Sequence, residues 1–254
     1  MTIRSRWLIL AFALAAAQAQ ASFTENGPTS LIIQYRCLPA KRIQLRGAME
    51  SYGIQQFEEW KTRGILAEYH VLFSRYVDTD NWDMLALLRF RSYEDVGKWR
   101  EVEKRSPAGL SPNLLEWVTS VETYPADLAR GKEAGSGRER PVYLVVPYTY
   151  SVTPPAYLEY ADNYVRPQLE GWARAGVLSG YGLYLQRYSA NRPWDSLLVL
   201  EYKDDAAFGL REKTVAKVRQ ELQSDPAWRS LSDSKHNIRV EKEAVIADEL
   251  APGR

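Results

Sequence analysis

Few side chains in this sequence could do chemistry, and their scarcity limits the reactions on offer. It has two histidines, His70 and His236, and a single cysteine, Cys37. His70 stands in a run of apolar and aromatic residues with strand-like character. There it could act as a general acid or base near neutral pH, or as an axial ligand to haem; the bland alternative is a histidine satisfied inside an interface. His236 lies in the polar stretch Ser-Asp-Ser-Lys-His-Asn and reads as a solvated loop residue. Cys37 has no partner for a disulfide and no adjacent base, which suits a buried, inert thiol. The sequence contains no nucleophile elbow, phosphate loop or zinc-spaced cluster.

Besides these groups, two combinations of aromatic and charged residues stand out because they occur twice. Arg75-Tyr76 with Trp82-Asp83 is repeated as Arg187-Tyr188 with Trp194-Asp195, 112 positions later. The same offset matches Trp60 with Trp172, Gly64 with Gly176, Leu66 with Leu178, Tyr69 with Tyr181, Leu85 with Leu197 and Leu88 with Leu200. That makes 10 identities over residues 60–90 and 172–202, without a gap. A fixed-period repeat decides the fold reading first. If the two strands at each motif meet so that Tyr76 faces Trp82, then Arg75 faces Asp83, and likewise Tyr188 faces Trp194 and Arg187 faces Asp195. The motif then amounts to a cross-strand aromatic pair beside an ion pair, each worth about 0.2–1 kcal/mol. The functional alternative makes the arginine and aspartate ligand-binding groups at the hairpin end.

The surrounding sequence supplies the elements. In the first copy, apolar patterning predicts a strand at 31–37, a helix at 40–63 closed by Gly64, strands at 65–76 and 82–90, a helix at 92–104 opened by Ser92, and a strand at 117–124. The second copy repeats this at 142–149, 155–175, 177–188, 194–202 and 204–223, with a final strand near 237–245. Pro167 should kink its first helix or mark a late start. Copy two also carries about eight additional residues near 230–235. Residues 125–140, with Gly-Lys-Glu-Ala-Gly-Ser-Gly-Arg at their centre, read as a flexible linker. The expected organisation is therefore a first unit at 22–124, the linker, and a second unit at 141–254, each in the order β-α-β-β-α-β.

This order, repeated in one chain, resembles the dimeric α/β-barrel superfamily in fused, tandem form. The resemblance covers nearly all of the chain after the first segment and rests on element order and the repeat. It implies an α+β fold in which two ferredoxin-like βαββαβ units form an internal pseudo-dimeric barrel. The superfamily includes cofactor-free monooxygenases, isomerases and haem enzymes, so fold does not choose the function.

Residues 1–21 place Arg4 and Arg6 before the apolar run 7–17 and end in Ala19-Gln20-Ala21, the pattern of a cleaved secretory signal peptide. The run is too short to span a bilayer, which needs roughly 20 residues. Export to the periplasm or medium is thus expected, with no membrane span after cleavage. A formal charge of +1 gives no electrostatic footprint for nucleic acid, and loss of Arg4 and Arg6 leaves 31 basic against 32 acidic residues. The 45% hydrophobic share excludes a disordered chain.

Strand alternation divides each predicted sheet into two faces. One, with Tyr69, Val71 and Phe73 beside Leu85 and Leu87, keeps its residue types between copies and suits packing on helices. The other, with His70, Leu72, Ser74 and Tyr76 beside Trp82, Met84 and Ala86, has diverged, with Gly182 in place of His70 and Tyr184 in place of Leu72. A pocket on the divergent face would have His70 as its polar group and Tyr76, Trp82, Tyr184, Tyr188 and Trp194 as walls. The expectation is an exported protein that binds a small apolar or aromatic compound or acts on it without a cofactor. The rivals are a non-catalytic interaction protein with packed aromatic faces, and haem binding through His70. A monomer with an internal pseudo-dimer, or a homodimer of such chains, is expected; no metal site is.

Overall fold

The computed structural model describes residues 27–134 and 140–252; the expected signal peptide lies outside the described residues. The fold is α+β with one large antiparallel sheet. The chain enters strand β1 (Ser30–Cys37), then helices α1 (Arg42–Ala48) and α2 (Ile54–Thr62), which are joined by a wide π-helical turn at Met49–Gly53. Strands β2 (Glu68–Ser74) and β3 (Met84–Arg89) follow. Helices α3 (Tyr93–Glu103) and α4 (Pro112–Leu115) lead into the long strand β4 (Val118–Lys132). The second half runs through β5 (Val142–Tyr150), α5 (Pro154–Tyr160), α6 (Arg166–Arg174), β6 (Leu178–Gln186) and β7 (Ser196–Tyr202). It continues with α7 (Asp205–Gly209), α8 (Arg211–Leu222), α9 (Pro226–Ser234), a short β8 (Arg239–Glu241) and β9 (Val245–Glu249).

Local chemistry accounts for the boundaries. Gly64 and Gly176 end the paired helices with φ of 70° and 78°, a left-handed conformation that costs glycine least. The Ser92 hydroxyl accepts from the Asp95 N–H, and the Asp204 carboxylate accepts from the Ala207 N–H, so both post-hairpin helices are capped. A second π-helical turn, Ala161–Val165, lies between α5 and α6, 112 positions after the first. Helical backbone continues through it, and Pro167 sits in the first turn of α6. Because the first copy makes the same wide turn without a proline, Pro167 is not its cause; it stands where α6 begins, in keeping with the late start and not the kink.

The strands pair in the order β7-β6-β4-β1-β3-β2-β9-β5-β8, and β7 pairs with β5 as well. The succession of pairings therefore returns to its start. Within each half the local order is β4-β1-β3-β2 and β9-β5-β7-β6. The halves meet along two seams, β2 on β9 and β4 on β6. The stretch expected as a linker from 125 is strand as far as Lys132, because Ala126–Lys132 pairs with β6. A Gly-rich composition signals flexibility only where no strand edge is available to pair with it.

Three apolar clusters result. One lies between β1–β3 and the first-half helices, around Phe57, Trp60, Trp99, Val71, Phe73 and Met84. A second lies under the later helices, around Tyr157, Tyr164, Trp172, Trp228, Leu183 and Leu198. The third fills the space between the two halves of the sheet, with Ile32, Leu72, Leu85, Leu87, Tyr184, Leu197 and Val199. The expected inward and helix-facing sides of β2 and β6 hold, but β3 and β7 are displaced by one residue. Phe73 pairs with Met84 and Leu72 with Leu85, so Leu85 and Leu87 face inward with His70, and Met84 and Ala86 face the helices. A one-residue slip exchanges the faces of a whole strand.

Candidate functional site

That register redistributes the repeated motif. Arg75 does not face Asp83. Its guanidinium crosses the seam to Asp248 on β9 at 2.8 Å and reaches Asp205 at 2.5 Å. In the other half Arg187 crosses the opposite seam to Asp127 on β4 at 2.6 Å. Asp83 instead accepts from Arg42 Nε and from the Cys37 N–H, both at 2.9 Å, while Asp195 accepts from the Tyr150 N–H at 3.1 Å. The arginines thus tie half to half, and the aspartates brace their own half.

The predicted aromatic walls separate into three places. Tyr76 and Tyr188 are 68% and 76% exposed and line neither the cavity at His70 nor the recess at the two tryptophans, so they do not wall the site expected around His70. Trp82 and Trp194 are buried at one end of the inter-sheet space and do not face the two tyrosines. Tyr184 and His70 meet at the other end, in a cavity of about 300 Å³. Cys37 is buried, and burial together with the neighbouring Asp83 pushes its thiol up to about 12, so it is inert. His236 is exposed.

The cavity opens where β2 and β6 begin and β3, β4 and β7 end. Leu87, Leu128, Val199 and Tyr184 give it an apolar floor, and Glu68, His70, Arg89 and Glu201 reach in from the strands. His70 Nδ1 lies 2.7 Å from Glu249 Oε1, and Nε2 lies 3.4 Å from Glu68 Oε1. Arg89 pairs with the other Glu68 oxygen, and Tyr143 Oη donates to Glu249 Oε2 at 3.0 Å. Burial works against a charged imidazole, but hydrogen bonds and charge from Glu249 and Glu68 outweigh it and push His70 up to about 9. The hydrogen bond from His70 in turn holds the Glu68 carboxyl below its usual value. The result is a row of alternating charge, Glu249–His70–Glu68–Arg89, that spans both halves.

An imidazolium with both N–H groups directed at carboxylates has no lone pair to offer, so His70 is a fixed cation at neutral pH rather than a general base. The same commitment makes it a poor fit for haem, whose iron needs a neutral ring nitrogen. Tyr184 differs. Its hydroxyl forms no hydrogen bond within the described residues, and burial pushes its pKa up, leaving a neutral phenol in the wall. Gly182 makes room for it: a Cβ there would lie 2.8 Å from Tyr184 Cε2. No group of three or more His, Cys, Asp or Glu side chains among the described residues could hold a metal ion.

Glu68, Arg89, Glu201, Tyr143 and Glu249 escaped the reading from sequence. Two signals were available. Glu68 and His70 are two apart on one strand and must share a face. Arg89 and Glu201 are repeat partners of opposite charge.

No family profile and no curated protein matches the chain. Solved structures do. A crystal structure of an anthrone oxidase-like protein aligns with 89% of this chain and 91% of its own, with TM-score 0.53 and 16% identity. A provisionally named monooxygenase from Fusobacterium nucleatum aligns over 89% and 94% at TM-score 0.54 and 14% identity. Another, from Lactobacillus acidophilus, aligns over 88% and 93% at 0.52 and 10%. These likenesses show the dimeric α/β-barrel fold along almost the whole described chain.

Proposed function

We propose that this is an exported protein that binds a small aromatic compound in the cavity between Tyr184 and the Glu249–His70–Glu68–Arg89 row. The supporting observation is the cavity itself, in which an apolar and aromatic wall meets charged groups already held by one another. Such a lining takes up a flat apolar body and orients its polar substituents without rearranging first. We read the scaffold as two ferredoxin-like units, 22–124 and 141–254, forming an internal pseudo-dimeric α/β barrel. The wide turns, the glycine caps and the reciprocal arginine crossings support that reading. Export rests on the first 21 residues.

His70 orients in this reading and does not abstract a proton. Native mass spectrometry of the purified full chain, followed by calorimetric titration with a hydroxylated aromatic such as 1,8-dihydroxyanthrone or 2-naphthol, tests it. Saturable one-to-one binding is expected in the native chain and not in Gly182→Phe, which fills the cavity. Binding that is absent from both, or equal in both, refutes the site. The names of the anthrone oxidase-like protein and the two monooxygenases suggest oxygen-dependent turnover as a second reading, which we take to need no cofactor. Oxygen uptake by the bound complex in metal-free buffer would support it, and its absence would leave binding alone.

A further inference from the structure

We infer a second ligand site at the opposite end of the inter-sheet space, shaped for a neutral saccharide ring. A recess of about 340 Å³ lies where β1 and β5 end and β3, β7 and β9 are about to begin. The packed cluster around Ile32, Leu85, Val145 and Leu197 separates it from the His70 cavity.

Its composition differs from that of the first cavity in one informative way. Trp82 and Trp194 match by the 112-residue offset, Gln34 and Pro147 stand opposite the matching Leu85 and Leu197, Glu122 stands opposite Gln34, and Glu243 precedes β9; all six line the recess. Around the His70 cavity the equivalents have diverged, His70 to Gly182 and Arg89 to Glu201. The far end therefore offers one indole and one carboxylate from each half.

One of the two indoles is also unsatisfied. Trp194 Nε1 is buried with no partner, and Trp82 donates no hydrogen bond within the described residues. Trp99 and Trp228 donate to Glu103 and to the Tyr164 carbonyl, while Trp172 Nε1, beneath the later helices, shares the lack of a partner but borders no such recess. A buried indole N–H normally finds an acceptor. The rim is held in place: Arg36 donates to the carbonyls of Thr79 and Asp80 at 2.6 and 2.7 Å, and the Tyr124 ring packs against Trp194 at a tilt of 47°, with its hydroxyl on Glu122. Arg36 and Lys242 stand among Asp80, Glu122 and Glu243, an excess of one carboxylate, so an anion is disfavoured while a neutral polar group meets both donors and acceptors. Apolar surface ringed by mixed donors and acceptors matches a sugar ring, whose C–H face is apolar and whose edge carries hydroxyls.

The test is titration of the full chain with methyl β-glucoside, methyl β-galactoside, N-acetylglucosamine, maltose and cellobiose, followed by calorimetry and tryptophan fluorescence. Sedimentation with insoluble cellulose and chitin separates a polymer end from a free sugar as the source. At least one probe should saturate with a shift in tryptophan emission. Asn81 also lines the recess; the probe's affinity should fall at least about tenfold in the rim variants Asn81→Ala and Glu243→Gln, the loss of one polar contact or more. It should be unchanged in Gly182→Phe, which blocks only the other cavity. If none of the probes saturates, if both rim variants bind as the native chain does, or if Gly182→Phe alone abolishes binding, the assignment is overturned.

Discussion

At the residue scale, His70 carries a consequence that sequence reading could not reach. Its two carboxylate partners are Glu68 on the same strand and Glu249, 179 positions away. Identifying the histidine needed only scarcity and strand parity; identifying its charge needed the seam. Because folding raises its pKa from 6.5 to about 9, its contribution is complete below about pH 6.5 and is lost as pH rises through 9. Urea unfolding of the native chain should lose about 1–3 kcal/mol between pH 6.5 and 10, and His70→Gln should flatten that difference. Gly182→Ala, milder than the phenylalanine variant, brings a Cβ within 2.8 Å of Tyr184 and 3.2 Å of Leu128. The Tyr184 ring must then swing into the cavity, and aromatic-ligand affinity should fall by about tenfold with little change in unfolding midpoint.

At the scale of elements, order and type were legible because each helix and strand carries its own periodicity, cap or stop. Gly64 and Gly176 are such signals. Gly176→Ala meets no atom within 4 Å and pays only for its φ of 78°, so it should cost about 1 kcal/mol by chemical denaturation. Pairings were less legible. The five residues 77–81 between Tyr76 and Trp82 did not specify the register, and a slip of one residue reassigned Arg75, Asp83, Leu85 and Leu87 together. The two seams should respond unequally to mutation. Asp127 is nearly buried, receives Arg187 and also accepts from the Thr29 N–H at 3.1 Å, whereas Asp248 is more exposed and Arg75 retains Asp205. Asp127→Ala should therefore cost about 3–5 kcal/mol by the same measurement, and Asp248→Ala about 1 kcal/mol or less.

At the scale of the whole molecule, the halves share their sheet and are not independent beads on a linker. Strands β2 and β4 of the first half find their outer partners only in β9 and β6 of the second, and His70, Arg75 and Arg187 all make contacts across. Neither fragment 27–134 nor 140–252 should give a cooperative unfolding transition alone. Mixing them should restore one, as circular dichroism melting would show. The repeat was visible in the sequence, but the extent of this sharing was not, since it depends on a stretch whose glycines and charges resemble a tether. The returning succession of strand pairings has a further effect. A sheet edge is a template on which foreign strands can grow, and proteins usually guard it with charge, proline or brevity. Here, among the described residues, the eight long strands leave no such template, and the only strand at the margin is the three-residue β8, bearing Arg239 and Glu241. That closure gives the apolar strands a resistance to fibril seeding that the same strands in an open sheet would forfeit.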